Sequence, residues 1–278
     1  MKPEISNDIL YIGVDDTDID LFESQYPVPD GVSYNSYVIL DEKVVVMDTV
    51  DARATDAWLA NLKAALNGRT IDYLVISHLE PDHAANIGRL AEMYPDMKLI
   101  GNQKTFTMLP QFFHADTTDR QVVVTEGETL SIGKHTLQFF MAPMVHWPEV
   151  MVTYEQSEKI LFSADGFGKF GALANDDITD WACEARRYYF NIVGKYGTSV
   201  QALLKKAATL DIATICPLHG PVLKENLGYY INLYDTWSSY RAEKSGIVVA
   251  YASIHGNTAA SAKKLAEMIE QTGTKVEL

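Results

Sequence analysis

Short runs of β-branched and aromatic residues, each closed by polar or turn-forming residues, punctuate the first two thirds of the chain and constrain its fold more than any other feature. They read as strands at 33–40, 43–50, 72–78, 98–102, 120–125 and 135–143, followed by a hairpin of MVTYE (151–155) and KILFSAD (159–165) across a polar QSE turn. Stretches at 54–67 and 83–94 have apolar residues three and four apart and predict helices between some of these strands. Further helices are expected around 176–192, 197–209 and 225–240, with a last strand, ATICPLH, at 213–219. The early strands would pair as a meander, whereas the middle ones alternate with helices. Two mixed sheets with helices outside, an αββα sandwich, accommodate that order.

After the polar connector RAEKSG the pattern restarts. GIVVAYAS (246–253) is a continuous apolar run fit for a central parallel strand, followed by a polar turn, a helix (AASAKKLAEMIEQTG) and the beginning of another strand, KVEL. This is the opening of a doubly wound domain. Two domains are therefore expected, 1–245 and 246–278, the second incomplete.

Composition excludes several classes of function. A net charge of −14 argues against nucleic-acid binding, because no basic patch neutralises phosphates. No apolar run approaches the roughly 20 residues of a membrane span. The first residues, MKPEISNDILYIGVDD, carry acids where a secretion signal needs basic and then apolar residues, so a cytoplasmic location is expected. Only Cys183 and Cys216 are present, which leaves neither a disulfide framework nor a thiolate metal knuckle.

The chemistry concentrates in SHLEPDHAANIGRL, directly after the strand DYLVI, where His78, Glu80, Asp82 and His83 fall within six positions. In an extended loop alternate residues point the same way, so His78, Glu80 and Asp82 can converge. Imidazoles with carboxylates suit iron, manganese or zinc. Further candidates fall at comparable strand ends: His146 in MVHWPEVM, Asp165 closing KILFSAD, and His219 closing TICPLH. Three histidines and three carboxylates suffice for two adjacent metals, with Asp165 as the natural bridge. His114 and His135 have no such company and read as ordinary surface or loop histidines. Trp147 and Trp181 are candidates to line the pocket, core packing being the simpler reading. Asp48, ending VVVMD, can be read as a seventh ligand.

The pattern H-x-E-x-D-H followed by H, D and H resembles the metallo-β-lactamase superfamily, specifically its flavodiiron branch. The likeness extends through SYNSYVILDEKVVVMDT, HWPEVM and SADGFGKFGAL. Hydrolases of the superfamily normally carry histidine where this chain has Glu80. A carboxylate hardens the site and adds negative charge, which favours ferric iron and redox chemistry over zinc hydrolysis. The resemblance implies two irons, one on His78, Glu80 and His146, the other on Asp82 and His219, bridged by Asp165. His83 would stand off the metals and steer a neighbouring carboxylate or water, and Asp48, on the same resemblance, would brace the site loops instead of binding metal.

Ser253-Ile254-His255-Gly256-Asn257-Thr258 is similar to the flavodoxin phosphate loop, where hydroxyls and backbone N–H groups at a helix N-terminus hold a phosphate. A complete protein of this kind binds flavin mononucleotide there, whereas a chain ending at Leu278 is expected to load iron and hold no flavin. The family's activity is reduction of dioxygen to water or of nitric oxide to nitrous oxide. It uses electrons from rubredoxin or a similar carrier and works as a head-to-tail homodimer. A dizinc hydrolase and a gas-sensing or iron-holding module are the competing readings.

Overall fold

The computed structural model describes residues 3–113, 117–175 and 180–278. His114 lies outside them. The chain divides into two compact units, Met1–Ser239 and Tyr240–Leu278.

In the first unit, β1 (Ile9–Tyr11) precedes two short antiparallel ribbons, in which β2 (Val14–Asp16) pairs with β5 (Val32–Tyr34) and β3 (Leu21–Phe22) with β4 (Tyr26–Pro27). The strands β6 (Tyr37–Leu40), β7 (Val44–Met47), β8 (Tyr73–Val75), β9 (Lys98–Gly101) and β10 (Gln121–Val123) complete a six-stranded sheet with β1, in order β1-β6-β7-β8-β9-β10. Its β1, β6 and β7 are antiparallel neighbours, and β7 to β10 run parallel. Helices α1 (Thr55–Leu66), α2 (Pro81–Ala84), α3 (Ile87–Met93) and α4 (Gln103–Phe112) make the crossovers. A second sheet contains β11 (Thr129–Ser131), β12 (Thr136–Met141), β13 (Met151–Glu155), β14 (Ile160–Phe162) and β15 (Thr214–Cys216), antiparallel except for the β14–β15 pair. Helices α5 (Trp181–Tyr188), α6 (Gly197–Ala207) and α7 (Leu227–Ser238) belong to this half.

Strand alternation decides which residues meet. Val45, Met47, Val75 and Ile100 of the first sheet share one buried cluster with Leu137, Phe139, Met151, Phe162 and Cys216 of the second. Their neighbours Val44, Val46, Leu74, Leu99, Leu161 and Ile215 join Trp58 and Leu62 of α1 and Tyr234 and Trp237 of α7 in the other. One face of each sheet thus packs on the opposite sheet and one is covered by helices, because both faces are apolar at period two. The expected αββα sandwich is borne out. Each large side chain so buried contributes about 1.5–3 kcal/mol.

One local expectation needs correction. The helix expected over 83–94 is interrupted at Ala85–Asn86, where Asn86 Nδ2 donates to Val50 O and its backbone N–H to Thr49 Oγ1. The helix α4 was not legible, since Pro110 stands inside it. Trp181 stacks on Trp237, 6.2 Å between ring centres, in the aromatic core, as the simpler reading of it expects.

In the second unit, β16 (Ile247–Val248) and β17 (Val276–Glu277) are parallel and joined by α8 (Asn257–Glu270), a β-α-β opening. The strand expected over 246–253 is only two residues long, because β17 offers it only two partners. No helix among the described residues is long and apolar enough to cross a membrane.

Candidate metal centre

Four of the seven site residues follow strands. The chain leaves β8 through Ser77 and reaches His78, and Asp165 and His219 lie just beyond β14 and β15. His146 lies between β12 and β13, and Glu80 caps α2 at its N-terminus, ahead of Pro81 at the first helical position. Pro81 there is pre-organised for the helix. The turn into α2 overrides the extended loop expected through Asp82. His78 and Glu80 face one way, and Asp82 and His83 of α2 face another.

Two groups of donors result. His78 Nε2 lies 3.2 Å from Glu80 Oε2 and 3.4 Å from Asp165 Oδ2, and His146 Nε2 lies 3.0 and 3.1 Å from the same two oxygens. On the other side, His219 Nε2 is 3.2 Å from Asp82 Oδ2, and His83 Nε2 is 3.4 Å from that oxygen and 3.2 Å from Asp165 Oδ1. Asp165 thus turns one oxygen to each group. His83 Nε2 lies within the second group, beside Asp82 and His219.

All but Glu80 are buried. Both carboxylate oxygens of Asp82 and of Asp165, and both ring nitrogens of His83, lack a hydrogen-bond partner despite these close approaches. Buried ionisable groups left so are costly unless a cation pairs with them. Three carboxylates and four imidazoles, with no thiolate, are donors suited to iron, manganese or zinc. The residues fit two metal ions.

On His78 and His219 the ring nitrogen facing away is tied down. His78 Nδ1 is 2.8 Å from Glu149 Oε1, which also accepts the Leu79 N–H, and His219 Nδ1 donates to Ser33 O at 2.7 Å. Each bond leaves Nε2 as the lone-pair nitrogen that a metal ligand needs. Asp48, in the left-handed region at φ 54°, accepts the Ser77 N–H at 2.7 Å through Oδ1 and holds the backbone leading to His78. Burial pushes its carboxyl up to about 6 against that hydrogen bond. Glu149 went unremarked in the sequence, although it stands in HWPEVM three residues after His146. The signal was available: a ligating histidine needs an acceptor for its second nitrogen.

Without metal, protons take the cations' place. Burial opposes charge on His83 and His146, yet Asp82 and Asp165 raise His83 to about 8, and Asp165 and Glu80 raise His146 to about 9. Burial would lift Asp165, but His83, His146 and His78 hold it well below the usual carboxylate range. Aromatic rings close the surroundings. Trp147 meets His78 edge to face at 5.1 Å, and Phe22 meets His219 likewise at 5.3 Å. A cavity of 210 Å³ between Phe22, Tyr34 and Arg53 opens onto Glu80 and Asp82. In the second unit, Ser253 Oγ accepts the Gly256 N–H at 3.0 Å, Gly256 takes a positive φ of 85°, and Asn257 and Thr258 open α8. Ile254 and His255 are exposed in the same turn.

Comparison with known proteins gives these arrangements a context. Residues 32–220 match the model of the ODP family beta lactamase. An anaerobic nitric oxide reductase flavorubredoxin of Aliivibrio fischeri is 32% identical over 99% of this chain and 57% of its own length. The rubredoxin oxygen:oxidoreductase of Desulfovibrio gigas superposes with a TM-score of 0.92 at 29% identity, over 100% of this chain and 71% of that one. The flavodiiron protein of Giardia intestinalis gives 0.90 at 29% identity, over 99% and 70%. The chain spans about half the length of the diflavin flavoproteins and flavorubredoxins that it matches.

Proposed function

Since the chain belongs to the ODP family of β-lactamase-like proteins, in its flavodiiron branch, we propose that it is the diiron half of an oxidoreductase that reduces dioxygen to water or nitric oxide to nitrous oxide. His78, Glu80 and His146 would hold one iron, and Asp82, His83 and His219 the other. Asp165 would bridge them. The observation that carries this reading is the division of Asp165, Oδ2 toward His78 and His146 and Oδ1 toward His83, together with the unpartnered buried oxygens.

When bound, two irons would supply the electrons for reducing a diatomic gas. The chain's residues set the conditions. Glu80, Asp82 and Asp165 offset the cationic charge, and Glu149 and Ser33 orient two of the imidazoles. Trp147 and Phe22 keep water from His78 and His219. Electrons would come from a rubredoxin-like donor through flavin mononucleotide held by a domain that begins at residue 246, with Ser253 to Thr258 as its phosphate loop. Head-to-tail pairing of two copies in the cytoplasm would bring one copy's flavin to the other's irons.

Metal analysis after expression in iron-replete medium tests this. Close to two irons per chain are expected, and Glu80→His should shift the preference toward zinc. A redox-silent protein holding zinc only would favour the dizinc hydrolase instead.

A further inference from the structure

We propose a second, separate metal site on the first unit, formed by Asp8, His135 and Glu158 and selective for a first-row divalent cation of the zinc type. His135 reads from sequence as a surface or loop histidine, and it does lie in a loop, but its side chain is 0% exposed. The segment just ahead of β12 is pulled inward, with the His135 N–H donating to Asp41 Oδ2 at 2.7 Å.

The tautomer of His135 follows from its neighbours. Glu155, itself buried, accepts the Ser157 N–H through Oε1 at 2.8 Å and the Glu158 N–H through Oε2 at 2.7 Å, so both of its oxygens act as acceptors. His135 Nδ1, 3.0 Å from Glu155 Oε1, must therefore be the donor. A carboxylate behind a histidine is the arrangement that orients metal-ligating imidazoles. It leaves Nε2 as a buried lone pair with no hydrogen-bond partner. Asp8 Oδ2, another acceptor, lies 3.6 Å from it. Two acceptors facing each other, the imidazole buried and the carboxylate partly exposed, repel unless a cation lies between them.

Asp8, His135 and Glu158 each offer a ligand atom within 4.8 Å of the others. One imidazole and two carboxylates, completed by water, suit zinc and its neighbours better than magnesium or calcium. The Lys134 ammonium now spans the two carboxylates, 2.7 Å from Asp8 and 3.5 Å from Glu158, and its side chain is 60% exposed. Lys134 and the metal are thus alternative occupants, and Lys134 can swing into solvent when a divalent ion arrives. Asp8 precedes β1 of one sheet, while His135 and Glu158 flank strands of the other, so the ion would clip the two sheets together.

The test is a titration of iron-loaded protein with Zn²⁺ against a competing chromophoric chelator, with iron measured in the same samples. One zinc per chain should bind with no loss of iron. The double substitution Asp8→Asn, Glu158→Gln changes only partly exposed side chains and should weaken that zinc by tenfold or more, leaving iron content unchanged. Lys134→Ala should tighten it severalfold. Zinc that enters only as iron leaves, or that binds the double variant as tightly as the parent, overturns the proposal.

Discussion

Replacing Glu149 with alanine should weaken iron binding at a distance from the metal. Glu149 is fully buried, and its Oε1 takes both the His78 Nδ1–H and the Leu79 N–H, at 2.8 and 2.9 Å. Hydrogen bonds to a charged group contribute about 1.5–3 kcal/mol each. Every 1.4 kcal/mol or so is a factor of ten in affinity. Losing the bond that fixes His78 should therefore cost about ten- to a hundredfold in iron affinity, the range for groups that support metal ligands. The second orphaned donor, on Leu79, adds about 1–3 kcal/mol of destabilisation to the metal-free fold. Glu149→Gln keeps an acceptor in place and removes the charge, so it should fall between the parent and Glu149→Ala. Chelator competition measures the affinity, and urea unfolding of the iron-free protein measures the second cost. Parent-like iron affinity in Glu149→Ala would refute the claim that Glu149 sets the tautomer and orientation of His78.

Three further outcomes are expected. Asp165→Ala should lose most of both irons, whereas a change at a single terminal ligand such as His146→Ala should spare more of the metal, and metal analysis of the two variants compares them directly. In the iron-free protein His83 and His146 hold protons more tightly than their ordinary value of 6.5, up to about 8 and 9. The unfolded chain releases those protons first, so their stabilising effect is full below about pH 6.5 and fades as pH rises to 8 and 9, by about 1.4 kcal/mol per pH unit for each group. Urea midpoints at pH 6.5, 8 and 9.5 should fall in the iron-free protein, and a flat or rising trend would contradict the carboxylate cage. Gly220→Ala should destabilise the fold and disturb His219, because residue 220 sits at φ 79° and an added Cβ would come within 2.6 Å of the Lys169 Cγ. Thermal unfolding and iron content read both effects.

Much of the candidate site could be read in the sequence because its residues end or closely follow apolar strands, and strand ends are visible as changes of composition. Grouping was less legible. Asp82 reads as a member of an extended loop with His78 and Glu80, and only the start of α2 at Pro81 separates it from Glu80. Glu149 and Ser33 act through the far nitrogens of His78 and His219, and that pairing depends on tertiary contacts across 71 and 186 positions. The burial of His135 was not legible for a similar reason: it comes from Asp41 and Glu155, which no local pattern links to it. In the sandwich itself, the alternation of Val44 to Met47 between two clusters was plain as an apolar run, but which face met which partner was not.

The split of the donors between the sheets has a consequence for the protein's biogenesis. His78 and Glu80 are synthesised with the first sheet, but their group is complete only when His146 and Asp165 arrive with the second, and the other group waits for His219 after β15. A nascent chain that has emerged only as far as α3 presents loose single ligands, which grip a metal weakly. Capture therefore comes late, after the halves have docked, and bound iron certifies a finished fold. In a cell short of iron the unfilled cage would persist as a folded protein held together by protons, ready to exchange them for metal when supply returns.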